Sequence, residues 1–280
     1  VIFKRIAIIG VGLIGGSLGL AVKKRNLARV VVGIGRRSSS IRKALNRGAI
    51  DIGTKDLAKG VAGADLVVMA TPVCLIPKIA QTIAGRLKEG ALLTDAGSTK
   101  GEIVRAVERF ISPKAFFVGS HPLAGSEKRG VSFADKDLFK GSIVIMTKTK
   151  KTKSSAVKTL GKFWRSLGVA RVVIRSPQEH DKIVAQISHL PHIAATALIN
   201  SADKQSLEFA AAGFKDTTRI AASDPEVWRD ICITNKKEIL RSLEKYERSL
   251  SRLKVLINKG RAEELHKEFA RSKNIREKLR

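Results

Sequence analysis

The residues best placed to do chemistry lie between Phe117 and Gly130, in the run Phe-Val-Gly-Ser-His-Pro-Leu-Ala-Gly-Ser-Glu-Lys-Arg-Gly. One histidine, His121, sits among Gly, Ser and Pro beside one acid, Glu127. A neutral imidazole held on a loop can take a proton from a reacting hydroxyl. The plain alternative is a tight turn that happens to contain a histidine. The rest of the chain decides between the two.

Gly10-x-Gly12-x-x-Gly15 is the second chemical motif. It follows a short apolar run, Phe3 to Ile9, and opens a helical stretch. Strand, glycine motif and helix in succession form the dinucleotide-binding fingerprint, with the pyrophosphate at the helix N-terminus. Gly10, Gly12, Leu13, Ile14 and Gly15 are therefore candidate cofactor residues. The next strand, Arg29 to Ile34, ends in Gly35-Arg36-Arg37-Ser38. An acid there would hold the ribose hydroxyls of NAD, whereas guanidinium and hydroxyl groups suit a 2′-phosphate. The reading leans to NADP, with NAD as the alternative if Arg36 stacks on the adenine. Thr71 and Pro72 end a later strand and join the cofactor set.

The second half offers two further clusters. Ser188-His189-Leu-Pro191-His192 puts two histidines on one helix face. Without a third ligand nearby, the expectation is no metal. Gly213-Phe-Lys-Asp216-Thr-Thr-Arg219 follows an alanine-rich stretch. Its glycine predicts a helix break that turns Asp216 and Arg219 toward a cleft, where Arg219 can grip a carboxylate in bidentate fashion. A surface arginine is the ordinary alternative. Trp228 is read as packing or as an aromatic wall.

The elements that must position these residues follow from periodicity. Apolar strands alternate with helices as far as Ile174: Ala64 to Thr71, Ala91 to Thr94, Phe116 to Val118, Ile143 to Met146 and Arg171 to Ile174, the last two closing the sheet. This predicts an α/β fold, a doubly wound parallel Rossmann sheet with ligands at the carboxyl ends of its strands. Thr71, Ser98 and His121 fall at or just after such ends. From Ser176 onward the pattern is helical. Ser176-Pro-Gln-Glu179 and Ser223-Asp-Pro-Glu226 read as capping boxes. Glu238 to Ile257 is long and apolar-periodic, which predicts a partner helix. The expected division is residues 1–175 for the dinucleotide and residues 176–280 for an all-helical substrate-binding and dimerisation domain.

Composition excludes other classes. The 280 residues carry 53 basic and 25 acidic side chains, a formal charge of +28. That field attracts anions, but the charge is scattered. The dense run from Lys148 to Lys153 has no interleaved aromatics to stack on bases. A nucleic-acid-binding module on a Rossmann scaffold is the reading from another class, and the intact glycine motif argues against it. No apolar run reaches the roughly 20 residues needed to span a bilayer, so the expected location is cytoplasmic, without membrane association. The two cysteines, Cys74 and Cys232, form no metal or disulfide pattern.

Taken together, the motifs Gly10-x-Gly-x-x-Gly15, Thr94-Asp-Ala-Gly-Ser-Thr-Lys-Gly101, Gly119-Ser-His-Pro-Leu-Ala-Gly-Ser-Glu127, Ser188-His-Leu-Pro-His192, Phe214-Lys-Asp-Thr-Thr-Arg-Ile220 and Ser223-Asp-Pro-x-x-Trp-Arg-Asp230 resemble the prephenate/arogenate dehydrogenases of tyrosine biosynthesis over nearly the whole chain. The resemblance implies that His121 polarises the substrate C4 hydroxyl with Ser98, that Arg219 holds a substrate carboxylate, and that His192 meets the substrate side chain in prephenate users. It implies that Ser126, Glu127, Asp216, His189 and Trp228 line or gate the pocket. The expected reaction is oxidative decarboxylation of prephenate with hydride transfer to NAD(P), by a homodimer; arogenate is the alternative substrate. A dehydrogenase of the hydroxyacid or imine-reducing type is a further alternative. Two departures stand out: Gly35-Arg36-Arg37 replaces the acid of NAD-dependent members, and no ACT-type domain follows the helices, so feedback inhibition through one is not expected.

Overall fold

The computed structural model describes residues 1–125 and 128–279. Nine strands are present among them: β1 (Phe3–Ile9), β2 (Ala28–Ile34), β3 (Ile52–Thr54), β4 (Leu66–Met69), β5 (Leu92–Asp95), β6 (Phe116–Phe117), β7 (Ser120–Pro122), β8 (Ile143–Thr147) and β9 (Arg171–Arg175). The helices of the first part are α1 (Leu13–Lys24), α2 (Ser38–Asn46), α3 (Leu57–Val61), α4 (Ile76–Ile83), α5 (Gly101–Phe110) and α6 (Ser154–Ser166). Then come α7 (Pro177–Val184), α8 (Leu190–Ser201), α9 (Lys204–Leu207), α10 (Ala212–Thr218), α11 (Pro225–Thr234), α12 (Lys236–Asn258) and α13 (Ala262–Glu277). By contact the chain divides into residues 1–236 and 237–280.

The main sheet is parallel, in the order β3-β2-β1-β4-β5-β6. This is the doubly wound dinucleotide-binding arrangement. Its strands are apolar on both faces because helices cover both. Ile6, Ile8, Leu66 and Val68 join one core with Leu18, Val22 and Trp164. Their alternating neighbours Ala7, Ile9, Val67 and Met69 join the other with Ile76, Ile83 and Val107. The register places Ile9 beside Ile34 and Met69, and Met69 beside Asp95. The segments after β1, β4 and β5 therefore leave along one edge.

The structure corrects the predicted sheet. β8 and β9 do not close it; with β7 they form a separate three-stranded sheet. The cause is local. After β6 the Thr147 amide donates to the Gly119 carbonyl (2.8 Å), and β7 then pairs antiparallel with β8, His121 opposite Ile145. A side chain at Gly119 would sit 2.5 Å from Thr147 Oγ1, so only glycine permits this approach. His121 consequently lies on a short strand, not in a loop.

In the helical part, Ser176 caps α7 in a full capping box with Glu179. The second predicted box is shifted by one residue. Asp224 is the cap of α11, its Oδ1 accepting from the Glu226 and Val227 amides at 2.9 and 3.1 Å. The break expected at Gly213 falls before it, between α9 and α10, and Gly213 lies in the first turn of α10. Residues 237–280 form a helical hairpin of their own, with Leu250, Val255, Ile257, Phe269 and Ile275 exposed.

Gly15 offers a test of the first turn. A Cβ there would lie 1.9 Å from the Gly10 carbonyl oxygen, a backbone atom that cannot swing away. Gly15→Ala is expected to lower unfolding free energy by about 1–3 kcal/mol, measured by urea denaturation. Unchanged stability would refute this packing of α1 on β1.

Candidate functional site

The site begins at a helix terminus. Asp181, in α7, aims its carboxylate at the start of α5. Its Oδ1 accepts from the Lys100 amide at 2.7 Å and its Oδ2 from the Gly101 amide at 2.8 Å. A helix N-terminus presents unpaired amides and a positive dipole end, which suit a carboxylate. The same Oδ1 lies 2.8 Å from His180 Nδ1, and His180 Nε2 lies 2.8 Å from His121 Nδ1.

This chain of contacts sets both tautomers. A carboxylate only accepts, so His180 Nδ1 donates to Asp181. His180 Nε2 is then a lone pair, and His121 Nδ1 donates to it. His121 Nε2 is left as the basic nitrogen, with no proton of its own. Burial pushes the His121 pKa well below the ordinary histidine value, and the neighbouring His180, Lys100 and His189 add to the effect. His180, fully buried, is lowered by burial against the opposing pull of Asp181. At neutral pH the arrangement supplies an uncharged, oriented imidazole able to accept a proton.

A second branch leads to the other histidines. The Asn235 amide group donates to the Asp181 carbonyl (2.9 Å) and meets His189 Nδ1 at 3.1 Å, so His189 accepts through Nδ1. Burial lowers His189 to a pKa of about 4. His189 meets Trp228 edge-on at 6.0 Å, and Trp228 stacks on His192 with centroids 3.5 Å apart and planes 9° apart. His192 Nδ1 is buried with no protein partner. An orphaned buried nitrogen costs about 1–3 kcal/mol, which marks a place for a ligand group. The turn carrying His189 is widened, Ala185–His189 being π-helical. Pro191 explains it: its ring excludes the carbonyl four residues back and it has no amide to donate.

The dinucleotide cleft lies along the sheet edge. Gly10 has φ +99°, and a Cβ there would press on the Ala70 carbonyl oxygen at 2.4 Å. Above Gly12 nothing lies within 4 Å, and no side chain caps α1, so its amides face open space. Leu13 and Ile14 are partly exposed at that terminus, and Thr71 Oγ1, across from Gly10, is buried without a protein partner. Pro72 is exposed beside it. These features fit a pyrophosphate and its ribose. Arg36, Arg37 and Ser38 are exposed at the start of α2, which has no acid in its first turn and no side-chain cap.

Ser98 is partly exposed after β5, and Thr99 Oγ1 bonds Thr234 Oγ1 of α11 at 2.9 Å. Asp216 and Arg219 are exposed, Arg219 at the C-terminal end of α10, in a turn that packs on α8. Ser126 and Glu127 lie outside the described residues. Arg129 pairs with Asp224, the cap of the helix that carries Trp228. The residues that sequence reasoning missed are His180, Asp181 and Asn235. Glu-His-Asp-Lys reads as the polar start of a helix, and the pairing of His180 with a residue 59 positions earlier leaves no local trace.

Comparison with known proteins gives the family. Residues 18–174 match the family model "Prephenate dehydrogenase, nucleotide-binding domain", and residues 176–271 match "Prephenate dehydrogenase, dimerization domain". The chain belongs to the prephenate dehydrogenase family. Prephenate dehydrogenase of Bacillus subtilis is 36% identical over 98% of this chain and 76% of its own length. Cyclohexadienyl dehydrogenase of Zymomonas mobilis is 34% identical over 98% and 96%. Among solved structures, Aquifex aeolicus prephenate dehydrogenase in complex with hydroxyphenyl propionate and NAD+ matches with a TM-score of 0.92, 35% identity and 99% and 98% coverage. Synechocystis arogenate dehydrogenase matches with a TM-score of 0.86, 29% identity and 99% and 100% coverage. The chain is a nicotinamide-dependent dehydrogenase of the prephenate dehydrogenase family, and among its described residues no helix is long and apolar enough to cross a membrane.

His189 gives this site a measurable pH signature. The unfolded chain binds a proton at this residue near pH 6.5, the folded chain only near 4. Between those values the unfolded state holds more protons, so stability falls as pH falls. The span corresponds to about 3 kcal/mol. Chemical denaturation at pH 7 and pH 4 should show a steeper loss in the wild type than in His189→Gln, by about that amount. Equal slopes would refute the burial of an uncharged His189.

Proposed function

We propose that this enzyme converts prephenate to 4-hydroxyphenylpyruvate and carbon dioxide, with arogenate as the competing substrate, and that His121 is the base. The observation that carries the reading is the hydrogen-bonded line from Asp181 through His180 to His121, which leaves His121 Nε2 unprotonated on a strand whose Ser120 amide is bonded to Asp95 at the carboxyl end of β5. Prephenate is a cyclohexadienol with a carboxylate on the ring carbon opposite its hydroxyl. A nicotinamide cofactor held at the glycine motif of residues 10–15 would supply the acceptor for the hydride that leaves C4. His121 Nε2 takes the hydroxyl proton, Ser98 assists at the same oxygen, and the ring carboxylate departs as carbon dioxide. Aromatisation drives the step, and the protein mainly orients the partners and keeps the imidazole neutral.

Arg219 holds a substrate carboxylate in this reading. His192, stacked on Trp228 with its Nδ1 unpaired, meets the substrate side chain in this reading, and a histidine at this place is what the family resemblance associates with prephenate use. His189, Asp216, Ser126 and Glu127 complete or gate the pocket. We assign residues 1–175 to the dinucleotide and residues 176–280 to substrate and to a homodimer; the exposed apolar side chains of α12 and α13 support the latter. Cytoplasmic location accompanies the reading. We favour NADP over NAD because two arginines and three serines stand at an uncapped, acid-free helix start.

Initial rates with prephenate and arogenate, each with NAD and NADP, test the assignment. Turnover of neither substrate would overturn it. His121→Asn should lower kcat by about 10²–10⁴ with little change in affinity. Arg219→Gln should raise the KM for substrate strongly and leave kcat nearly intact. An unimpaired His121 variant or an unchanged KM would remove the respective role. Replacing Arg36 and Arg37 by Ala should weaken NADP about 10–100-fold and NAD little, the value of a charge-assisted contact; equal losses would remove the phosphate role.

A further inference from the structure

Lys100 is among the largest fully buried side chains of the protein. A buried ammonium is costly and needs a partner. That partner is Asp95, which is equally inaccessible. Neither group has a part in the chemistry proposed above. Asp95 is nevertheless tied to the backbone on both sides of the site. Its Oδ2 accepts from the Gly97 amide at 2.9 Å, next to Ser98, and its Oδ1 from the Ser120 amide at 3.3 Å, next to His121. The Lys100 backbone amide donates to Asp181, which orients His180. The Lys100 side chain also runs below Gly119, where an added Cβ would lie 3.3 Å from Lys100 Cδ.

We propose that Lys100 is a positioning residue for the base: its ammonium, through Asp95, and its own amide, through Asp181, lock together the three segments that carry Ser98, His121 and His180. The proposal rests on the reading of His121 as the base. The position of the charge supports it. Facing His121 are His180 from α7, His189 from the widened turn and Lys100 from the start of α5, with Asp181 bonded to His180 and Asp95 to Lys100; β8 offers the apolar Ile145 opposite. Of these, Lys100 and the two histidines disfavour protonation of His121. Burial itself lowers the Lys100 pKa, against the pull of Asp95 and Asp181.

The test uses Lys100→Met, which keeps the aliphatic bulk, and Asp95→Asn combined with Lys100→Met, which leaves no unpaired buried charge if the single variant fails to fold. Two readouts are taken on folded protein. The first is the titration of the His121 ring by NMR with isotope-labelled histidine, read without substrate. The second is the pH profile of kcat and kcat/KM. Removing the ammonium should raise the His121 midpoint and carry the acid limb of kcat/KM to higher pH with it. At pH 7, kcat should fall about 10–100-fold, the scale of a misplaced base, with KM changed less than about threefold. Both variants are expected to behave so. Wild-type midpoint and wild-type kcat per folded molecule, in variants that are merely less stable, would overturn the proposal. Failure of the functional reading is a different result: the unsubstituted enzyme would turn over neither substrate, while the NMR titration would still report whether Lys100 governs His121.

Discussion

A single carboxylate, that of Asp181, orders the centre of this protein. Two of its hydrogen bonds are to backbone amides at the start of α5 and a third is to His180. Each is directional, and together they tie α7 to the start of α5. The amides fix the carboxylate, the carboxylate fixes one imidazole, and that imidazole fixes the next. Because protons can be distributed along this line in only one way, the last nitrogen in it is a lone pair. A free histidine at neutral pH would spend part of its time as the wrong tautomer and part of it charged. Here the geometry and the burial remove both possibilities together.

The same constraint explains why the fold has two sheets. A Rossmann sheet delivers loops to the edge where a dinucleotide lies, but a loop would leave His121 to move. The short strand β7, clamped between β8 on one side and the Asp95 carboxylate on the other, holds the histidine by its backbone as well as by its ring. Ser120 is drawn into the core as well, its hydroxyl meeting Thr94 Oγ1 at 2.9 Å and Trp164 Nε1 at 3.2 Å. Precision at a reacting atom comes from such supporting contacts, since small displacements there cost large factors in rate.

How much of this was legible in the sequence depends on how local each signal is. Gly10 to Gly15 and Ser176 to Glu179 could be read directly, because a turn or a cap is decided within a few residues. Strands β1, β2, β4 and β5 are legible from their continuous apolar runs, whereas β3, only Ile52-Gly-Thr54, carries no such run. The assignment of Ile143–Met146 and Arg171–Ile174 to the main sheet failed because an apolar strand does not say which edge it will join. The deciding fact was the close approach of Gly119 to Thr147, residues 28 positions apart. His180 was invisible for a related reason: in sequence it is one polar residue among four. Lys100 lies within the motif of residues 94–101, yet nothing in the motif states that its side chain is fully buried.

The histidines themselves show where burial and function meet. His121, His180, His189 and His192 all have pKa values pushed down, and in each the first cause is burial. A core that only needed stability would hold apolar side chains at these places, since uncharged rings whose nitrogens need partners contribute less and make the fold sensitive to acid. Three of the four have at least one ring nitrogen engaged by a neighbouring side chain. The fourth, His192, keeps one nitrogen unsatisfied although it is stacked flat on Trp228 and so cannot turn to find a partner. An unsatisfied group held against an aromatic face is a stability cost that no described side chain offsets, which is why His192 carries the substrate side chain in the proposed reading.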